Sequence, residues 1–331
     1  MKRMLLLTLL FLSFAFAARA GSFTDAAGRI VEIPDRIERI MAAGPPASVL
    51  VYVLTPQKLA GWVHRPSDEE SQYLLPSARS LPELGRLTGK GDAIQSDAVA
   101  KAKPDLIVDV GDVREEYASL ATRIQTETGV PYLLLDGSLT NTPQLFETLR
   151  KLSGAPERGM ELAEYAQAHL DKLKAGLAQV PNEKRSRVYY GREADGMQTG
   201  LAGSINVELF DALGAVNVAA AKGAGSLTKV TPEEVIKWDP SVIIAADAKF
   251  AAQVRSDPAW SGVAAVKNAR VFVQPALPFG WFDGPPGVNR RMGMIWLEPL
   301  LYPEVFQTDL RKETRDFYKH LSDGSQRRAA R

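Results

Sequence analysis

Two arginines follow apolar runs of the sequence, where a strand would carry a side chain to the rim of a binding cleft. Arg192 follows residues 188–190 after a single glycine, and Arg114 comes shortly after residues 106–110. The planar guanidinium fork matches the oxygens of a carboxylate, catecholate or phosphate group. We therefore expect both arginines to contact an anionic ligand. Salt bridges to neighbouring acids are the alternative, and those neighbours are Glu193 and Asp195 for Arg192 and Glu115 and Glu116 for Arg114.

Trp281 and Phe282 lie side by side in a loop bounded by glycine and proline. Large aromatic side chains on a loop are costly in water unless they pack against something. In a binding cleft they would form an apolar wall against a flat or greasy ligand face. Alternatively, they anchor the loop on the last helix.

Further ligand contacts are expected in the loops that follow the predicted strands, because open α/β sheets bind ligands beyond the carboxyl ends of their strands. These candidates are Pro45, Trp62, His64, Arg65 and Tyr190. The chain has three histidines and no cysteine, which excludes disulfides, thiol catalysis and cysteine-built zinc sites. We predict no catalytic residues and no metal site built from protein side chains. The glycines of residues 85–91 lack the spacing and the Ser/Thr of a phosphate-binding loop.

An internal repeat indicates which elements would position these residues. Residues 97–109 align without a gap with residues 233–245, matching Val99 with Val235, Lys101 with Lys237 and Pro104 with Pro240. Each copy is typical of a short helix that stops at a proline and is followed by an apolar strand of a parallel sheet. Helices and strands alternate around both copies. We predict an α/β fold of two Rossmann-like lobes with mainly parallel sheets.

A single long helix is predicted between the two copies. In residues 156–179 apolar side chains recur at spacings of three and four, at Leu162, Ala166, Leu170, Leu173 and Leu177. Such a helix would span about 36 Å, enough to cross both lobes and limit hinge opening. The expected organisation is a signal peptide (1–20), an N-terminal lobe (21–154), a bridging helix (155–181), a C-terminal lobe (182–322) and a flexible tail (323–331).

The first residues follow the pattern of a cleavable secretory signal. Lys2 and Arg3 precede an apolar stretch over residues 4–17, and Ala18 and Ala20 flank Arg19 in a small-x-small site with cleavage expected after Ala20. The stretch is shorter than the ~20 residues that a membrane-spanning helix needs. We therefore expect export and removal of this segment.

The composition favours a soluble protein of the periplasm. A lipid anchor would need a cysteine where Gly21 and Ser22 stand, so none is expected. The chain has 40 Lys and Arg against 39 Asp and Glu, and loss of Lys2, Arg3 and Arg19 would leave a formal charge of −2. This balance lacks the basic excess of a nucleic-acid-binding surface. We expect a periplasmic monomer that binds no nucleic acid.

Several segments resemble one family along nearly the whole chain after residue 20. Residues 23–34 are similar to the opening hairpin of periplasmic metal-chelate binding proteins, which serve ABC importers for iron-siderophores, haem and vitamin B12. The repeated segments resemble the same family, as do residues 266–273, 281–290 and 296–303. The resemblance implies a binding protein rather than an enzyme, with a small-molecule metal chelate as ligand and an ABC permease dimer of the inner membrane as partner.

The resemblance also gives a role to two acids at equivalent places in the repeat. Asp97 and Glu233 correspond to the pair of acidic residues, one per lobe, that meet arginines on the permease. The family usually has glutamate in both places, so Asp97 departs from its pattern. Both acids also lie at predicted helix starts, where the helix dipole favours a negative charge.

The ligand implied by the resemblance is a chelated metal, because three histidines (His64, His169 and His320) are few for a site that coordinates bare metal. We predict an iron-siderophore, with no intrinsic cofactor. The alternatives are a nickel or cobalt chelate, vitamin B12, haem or an oxyanion such as molybdate. A periplasmic hydrolase is a further alternative, which would need histidines and carboxylates converging on the cleft.

Overall fold

The structure is a computed structural model that describes residues 21–88, 96–154 and 156–321. The predicted signal peptide and the predicted tail (323–331) lie outside these residues. Among the described helices, none has the combination of length and apolarity that crossing a bilayer requires.

The N-terminal lobe contains a three-stranded parallel sheet. An antiparallel hairpin, β1 (Gly21–Thr24) and β2 (Ile30–Ile33), precedes it. The sheet order follows the chain, with β3 (Ile40–Ala42), β4 (Leu106–Gly111) and β5 (Tyr132–Asp136). Helices cover it on both faces, which explains why β4 is apolar along nearly its whole length. These helices are α1 (Pro45–Leu54), α2 (Asp68–Ser71), α3 (Pro76–Arg79), α4 (Ser96–Ala102), α5 (Glu115–Thr128) and α6 (Thr142–Ser153).

Helix α7 (Pro156–Leu177) joins the lobes, as the periodicity predicts. Its 22 residues correspond to about 33 Å. Near its start, a Cβ at Gly159 would collide with Arg150 of α6, and near its end a Cβ at Gly176 would collide with the ring of Phe306. Glycine therefore lets the helix approach one lobe closely at each end.

The C-terminal lobe contains a four-stranded parallel sheet and a small antiparallel pair. The sheet order is β11-β10-β6-β8. The strands of this lobe are β6 (Arg187–Gly191), β7 (Gln198–Gly200), β8 (Val216–Asn217), β9 (Leu227–Lys229), β10 (Val242–Ala245) and β11 (Val271–Val273), with β7 and β9 forming the antiparallel pair. Its helices are α8 (Glu208–Ala212), α9 (Pro232–Trp238), α10 (Ala248–Ser256), α11 (Ala264–Lys267), α12 (Arg290–Leu301) and α13 (Leu310–Leu321).

One hydrophobic core runs through both lobes. It takes Val108 from β4, Leu162 and Leu173 from α7, and Ile244 from β10. Separate cores fill the outer face of each sheet, one around Ile107 and the other around Ile243. Alternate residues of the same strand thus belong to different cores, because successive side chains of a strand point to opposite faces. The predicted α/β architecture of two bridged lobes is confirmed.

Two segments that lead to the sheets are less regular than the main elements. A 3₁₀ turn, Ile205–Val207, precedes the short helix α8. The segment after α1 makes only isolated bridges, in which Ile40 pairs with Leu59 and Trp62 with Glu83. Close contact of Gly61 with Pro82 and Leu84 places this segment against a loop instead of along a full strand.

Candidate ligand-binding cleft

A cavity of about 700 Å³ lies between the lobes. Its N-terminal wall is formed by the ends of β4 and β5, the loops after the three parallel strands, the start of α5, and two residues that precede α4. Those lining residues are Gly44, Pro45, Pro46, Arg86, Thr88, Asp109, Val110, Gly111, Asp112, Val113, Arg114, Tyr117, Asp136 and Ser138. Strand-end loops meet at this edge because the strands are parallel.

The C-terminal wall comes mainly from segments outside the four-stranded sheet. They are the turn before α8, α8 itself, the residues before β9 and the loop before α12. The lining residues are Ala202, Gly203, Ser204, Ile205, Glu208, Asp211, Gly225, Ser226 and Pro286. The small antiparallel pair β7–β9 positions the turn and the residues before β9, since Leu201 donates its backbone N–H to Ser226 at 2.9 Å.

Arg114 and Asp112 form an ion pair on the N-terminal wall. The Arg114 Nε lies 2.6 Å from Asp112 Oδ2, and the Arg114 backbone N–H donates to Oδ1 at 2.9 Å. Partial burial alone would raise the pKa of Asp112, but the hydrogen bonds and charge of Arg114 outweigh it and lower that pKa. Arg114 is largely exposed, so the pair contributes little to stability and leaves the guanidinium at the edge of the cavity.

Asp109 is a buried carboxyl group on the same wall. It lies near the end of β4, where Tyr132 of β5 donates its hydroxyl to Oδ2 at 2.9 Å and Val110 donates its backbone N–H to Oδ1 at 3.0 Å. Burial raises the pKa of Asp109, although these hydrogen bonds and the charge of Arg86 act in the opposite direction. The Tyr132 hydroxyl is buried as well, and its burial and the nearby charge of Asp109 raise its pKa.

Arg86 and Thr88 place a positive charge and a hydroxyl group on the cavity, beside the loop that follows β3. Thr88 is fixed by its backbone N–H, which donates to the Ala43 carbonyl at 3.3 Å. A Cβ at Gly44 would lie only 3.0 Å from Thr88 Oγ1. Glycine at this position therefore lets the loop after β3 approach Thr88 closely.

Most acids around the cavity are engaged by protein groups. Asp112 pairs with Arg114, and Asp136 accepts hydrogen bonds from the backbone and hydroxyl of Ser138. Glu208 forms an ion pair with Arg290 at 2.7 Å. The two arginines offset the negative charges of Asp112 and Glu208, and the donors of Ser138 satisfy oxygens of Asp136.

The structure places two of the predicted contact residues, Pro45 and Arg114, on the cavity. Arg192 is instead paired within the C-terminal lobe. Its Nε lies 2.6 Å from Asp283 Oδ2, and Asp283 also accepts from the Tyr190 hydroxyl at 2.5 Å and from Asn206 Nδ2 at 3.0 Å. Arg192 therefore forms a salt bridge, as the alternative to ligand contact predicted. Its partner is Asp283, not its sequence neighbours Glu193 and Asp195.

The aromatic residues of the last loop are packed in the core. Phe282 is fully buried, with its ring centroid 4.1 Å from that of Tyr190, and Trp281 is 7% exposed. A Cβ at Gly293 of α12 would collide with the Trp281 carbonyl. The loop is therefore anchored on α12, which was the alternative to a ligand-facing wall, and the burial gives no support to ligand contact by Trp281, Phe282 or Tyr190.

The other three candidates lie beside the bridges after α1, away from the cavity lining. Trp62 is buried and donates its indole N–H to the Ala78 carbonyl at 2.8 Å. His64 and Arg65 are exposed, and His64 Nδ1 lies 3.8 Å from a carboxylate oxygen of Glu83. Ligand contact by these residues remains a prediction that the geometry does not favour.

Several lining residues were missed by the sequence reasoning. Asp109 is a charged residue within an otherwise apolar strand. A buried carboxyl group needs a partner, so this pattern could have marked Asp109 as a candidate. Arg86 and Thr88 belong to the glycine-containing segment that was rejected as a phosphate loop. Ser204 and Ser226 have no comparable signal, because they reach the cavity through the pairing of β7 with β9, and Glu208 reaches it from the first position of α8.

The two acids predicted to contact the permease occupy equivalent positions. Asp97 lies in the first turn of α4 and Glu233 in the first turn of α9, and both are exposed. Each helix leads to an inner strand of its sheet, β4 or β10. Thr231 and Glu234 form a capping box at the start of α9, so the helix-start interpretation also holds there.

Comparisons with known proteins agree on the class of protein. Residues 52–277 match the family model described as periplasmic binding protein. The chain is 28% identical to the molybdate-binding protein MolA of Haemophilus influenzae, over 95% of each chain. The structure resembles an ABC transporter solute binding protein from Sulfurospirillum deleyianum, with a TM-score of 0.80 and 28% identity, over 92% of this chain and 95% of that one.

The fold is also that of MolA bound to molybdate, with a TM-score of 0.72 at 23% identity, over 91% of this chain and 97% of that one. The family model covers more than half of the chain, and the resemblance inferred from the sequence is confirmed. With its two bridged lobes and the cleft between them, the chain belongs to the periplasmic binding protein family and is a solute-binding protein of an ABC importer, not an enzyme.

Proposed function

We propose that this protein captures a tetrahedral oxyanion of the molybdate class in the cleft between its lobes. The observation that carries the proposal is the similarity to a molybdate-binding protein over 95% of both chains. Similarity of this extent covers both walls of the cleft as well as the bridging helix.

The donors around the cavity support an anionic ligand. Arg86 brings positive charge from the N-terminal lobe, and Arg114 lies at the edge of the cavity in its ion pair with Asp112. Hydroxyl groups come from both lobes, with Thr88 and Tyr117 on one wall and Ser204 and Ser226 on the other. Hydrogen bonds to a charged oxygen are shorter and stronger than those between neutral groups. An oxyanion between the walls would therefore bind donors of both lobes at once.

Calorimetric titration with molybdate and tungstate, with sulfate and phosphate for comparison, tests this proposal. We expect molybdate binding, and we expect Arg86→Ala to weaken it about tenfold or more, since a charged hydrogen bond contributes roughly 1.5–3 kcal/mol. Arg123→Ala is the matched control, because Arg123 is an exposed arginine of α5 outside the cavity lining. Absence of binding to either metal oxyanion would rule the proposal out.

An anionic metal chelate, such as the predicted iron-siderophore, is the second candidate. The cavity volume favours it, since about 700 Å³ is within the range of pockets for drug-sized ligands, about 300–1,000 Å³. Native mass spectrometry of protein purified from periplasm, with metal analysis, separates the two. A bound organic mass with iron would favour the chelate, and molybdenum without an organic mass would favour the oxyanion.

We further propose that the mature protein acts in the periplasm after removal of residues 1–20. We also propose that it docks on the permease dimer through Asp97 and Glu233. The backbone of the first turn of α9 and the Thr231 hydroxyl lower the pKa of Glu233, which keeps this exposed carboxylate charged. Two carboxylates on equivalent helices of the two lobes would let arginines of the permease contact both lobes together.

A further inference from the structure

A buried arginine joins the two lobes at the base of the cleft. Arg290 is the first residue of α12 and is only 1% exposed. One guanidinium nitrogen donates to the Gly137 carbonyl of the N-terminal lobe at 2.8 Å. A second nitrogen donates to Glu208 Oε2 at 2.7 Å and to the Ile205 carbonyl at 3.0 Å, both in the C-terminal lobe.

Glu208 makes the reciprocal connection. While Oε2 binds Arg290, its Oε1 accepts the backbone N–H of Leu139, in the N-terminal lobe, at 2.8 Å. Its side chain is 22% exposed and lines the cavity. Arg290 and Glu208 therefore each contact both lobes, and we call this pair the interlobe clasp.

The clasp acts on segments that form the two walls. Gly137 and Leu139 flank Ser138, which lines the N-terminal wall, and Ile205 lies on the opposite wall. A Cβ at Gly137 would lie 2.7 Å from the Gly111 Cα. The loop after β5 is thus packed tightly on the loop that leads to Asp112 and Arg114, and a shift of one loop would move the other.

We propose that Arg290 and Glu208 are positioning residues for ligand binding, because the interlobe clasp sets the distance between the two walls of the cleft. Charged hydrogen bonds in a buried site resist distortion, and loss of one partner leaves the other charge buried and unpaired. The wall distance is therefore fixed by a short, well-packed connection in addition to the bridging helix α7.

Two measurements on the same variants test the clasp: the distance between spin labels on the two lobes and the affinity for molybdate. The chain has no cysteine, so Arg123→Cys and Ala252→Cys, on exposed positions of α5 and α10, place one spin label on each lobe. In this background, Glu208→Gln keeps an acceptor for Leu139 but removes the charge, and Arg290→Lys keeps the charge but loses the planar fork. We expect both substitutions to lengthen or broaden the interlobe distance and to weaken molybdate binding about tenfold.

Glu298→Gln is the matched control. Glu298 forms another buried pair, with His169 of α7 at 2.7 Å, and it does not line the cavity. This variant should lower the unfolding temperature without changing the interlobe distance or the affinity for molybdate. If the clasp variants behave in the same way as this control, the clasp is only structural and the proposal fails.

The two measurements also separate this inference from the proposed ligand. If the parent protein does not bind molybdate, the ligand proposal fails, and the interlobe distance alone then decides the clasp. A parent-like distance distribution in both Glu208→Gln and Arg290→Lys, in folded protein, would overturn it.

Discussion

Asp109 shows how one residue combines the demands of folding and binding. It stands near the end of a buried strand, takes a hydrogen bond from Tyr132, and also lines the ligand cavity. The negative charge of an ionised carboxyl group here is poorly solvated, and this burial raises its pKa. The structure therefore favours a protonated Asp109 more strongly than the unfolded chain does.

This pKa shift gives a stability prediction with a definite sign. A carboxyl group whose pKa is raised by folding contributes stability below its unfolded pKa, and this contribution is lost as the pH rises through the folded pKa. We expect Asp109→Asn, which is uncharged at any pH, to gain in urea stability relative to the parent as the pH is raised from 4 to 8. Asp68→Asn, at an exposed position of α2, is the control. A stability difference that stays constant across this pH range would contradict the raised pKa.

Arg192 illustrates what local sequence does not reveal about a residue. Its position after an apolar strand is typical of a ligand contact, and the strand was correctly predicted. Its partner Asp283 lies 91 residues away in the chain. The packing of the last loop on α12 brings the two together, so neither the partner nor the orientation of Arg192 could be read from neighbouring residues.

At the scale of elements, the bridging helix α7 depends on close contact as much as on helical periodicity. Its apolar spacing predicts a helix and a buried face, and Leu162, Ala166 and Leu173 are indeed buried. Glycine would normally weaken a helix by about 1 kcal/mol relative to alanine. At Gly159 the structure explains its presence, since α6 lies too close for a side chain.

We therefore expect Gly159→Ala to destabilise the protein despite the better helix propensity of alanine. The added Cβ would meet the Arg150 Cβ and the Phe146 carbonyl, and overpacking of this kind costs about 1–3 kcal/mol. The free energy of unfolding in urea measures the effect. Gly262→Ala is the control, because nothing lies within 4 Å of a Cβ there, and equal stability of the two variants would contradict the tight α6–α7 contact.

At the scale of the whole molecule, two similar lobes face each other across one cleft and share one core. The internal repeat predicts the similarity of the lobes, and the structure adds that the core passes through α7 from one sheet to the other. Together with the clasp at the base of the cleft, this continuity favours small changes in lobe separation when a ligand binds.

The proposed docking on the permease belongs to this scale, because it would use one carboxylate from each lobe. We expect Asp97→Arg and Glu233→Arg to abolish uptake in cells while leaving ligand affinity unchanged, since both residues are exposed and outside the cavity lining. Glu127→Arg, on an exposed position of α5, is the matched control. Uptake that survives both reversals together would remove the docking proposal.

The sequence by itself determined the class of fold, the two lobes, the bridging helix and the family, because these follow from local periodicity and from segments repeated along the chain. It also indicated Pro45 and Arg114 at the cleft. Only the tertiary structure decided that Trp281 and Phe282 lie in the core, that Arg192 pairs with Asp283, and that Glu208 and Arg290 join the lobes. Those outcomes depend on residues far apart in the chain, up to 153 positions between Gly137 and Arg290, whose contact arises from packing and leaves no pattern in the local sequence.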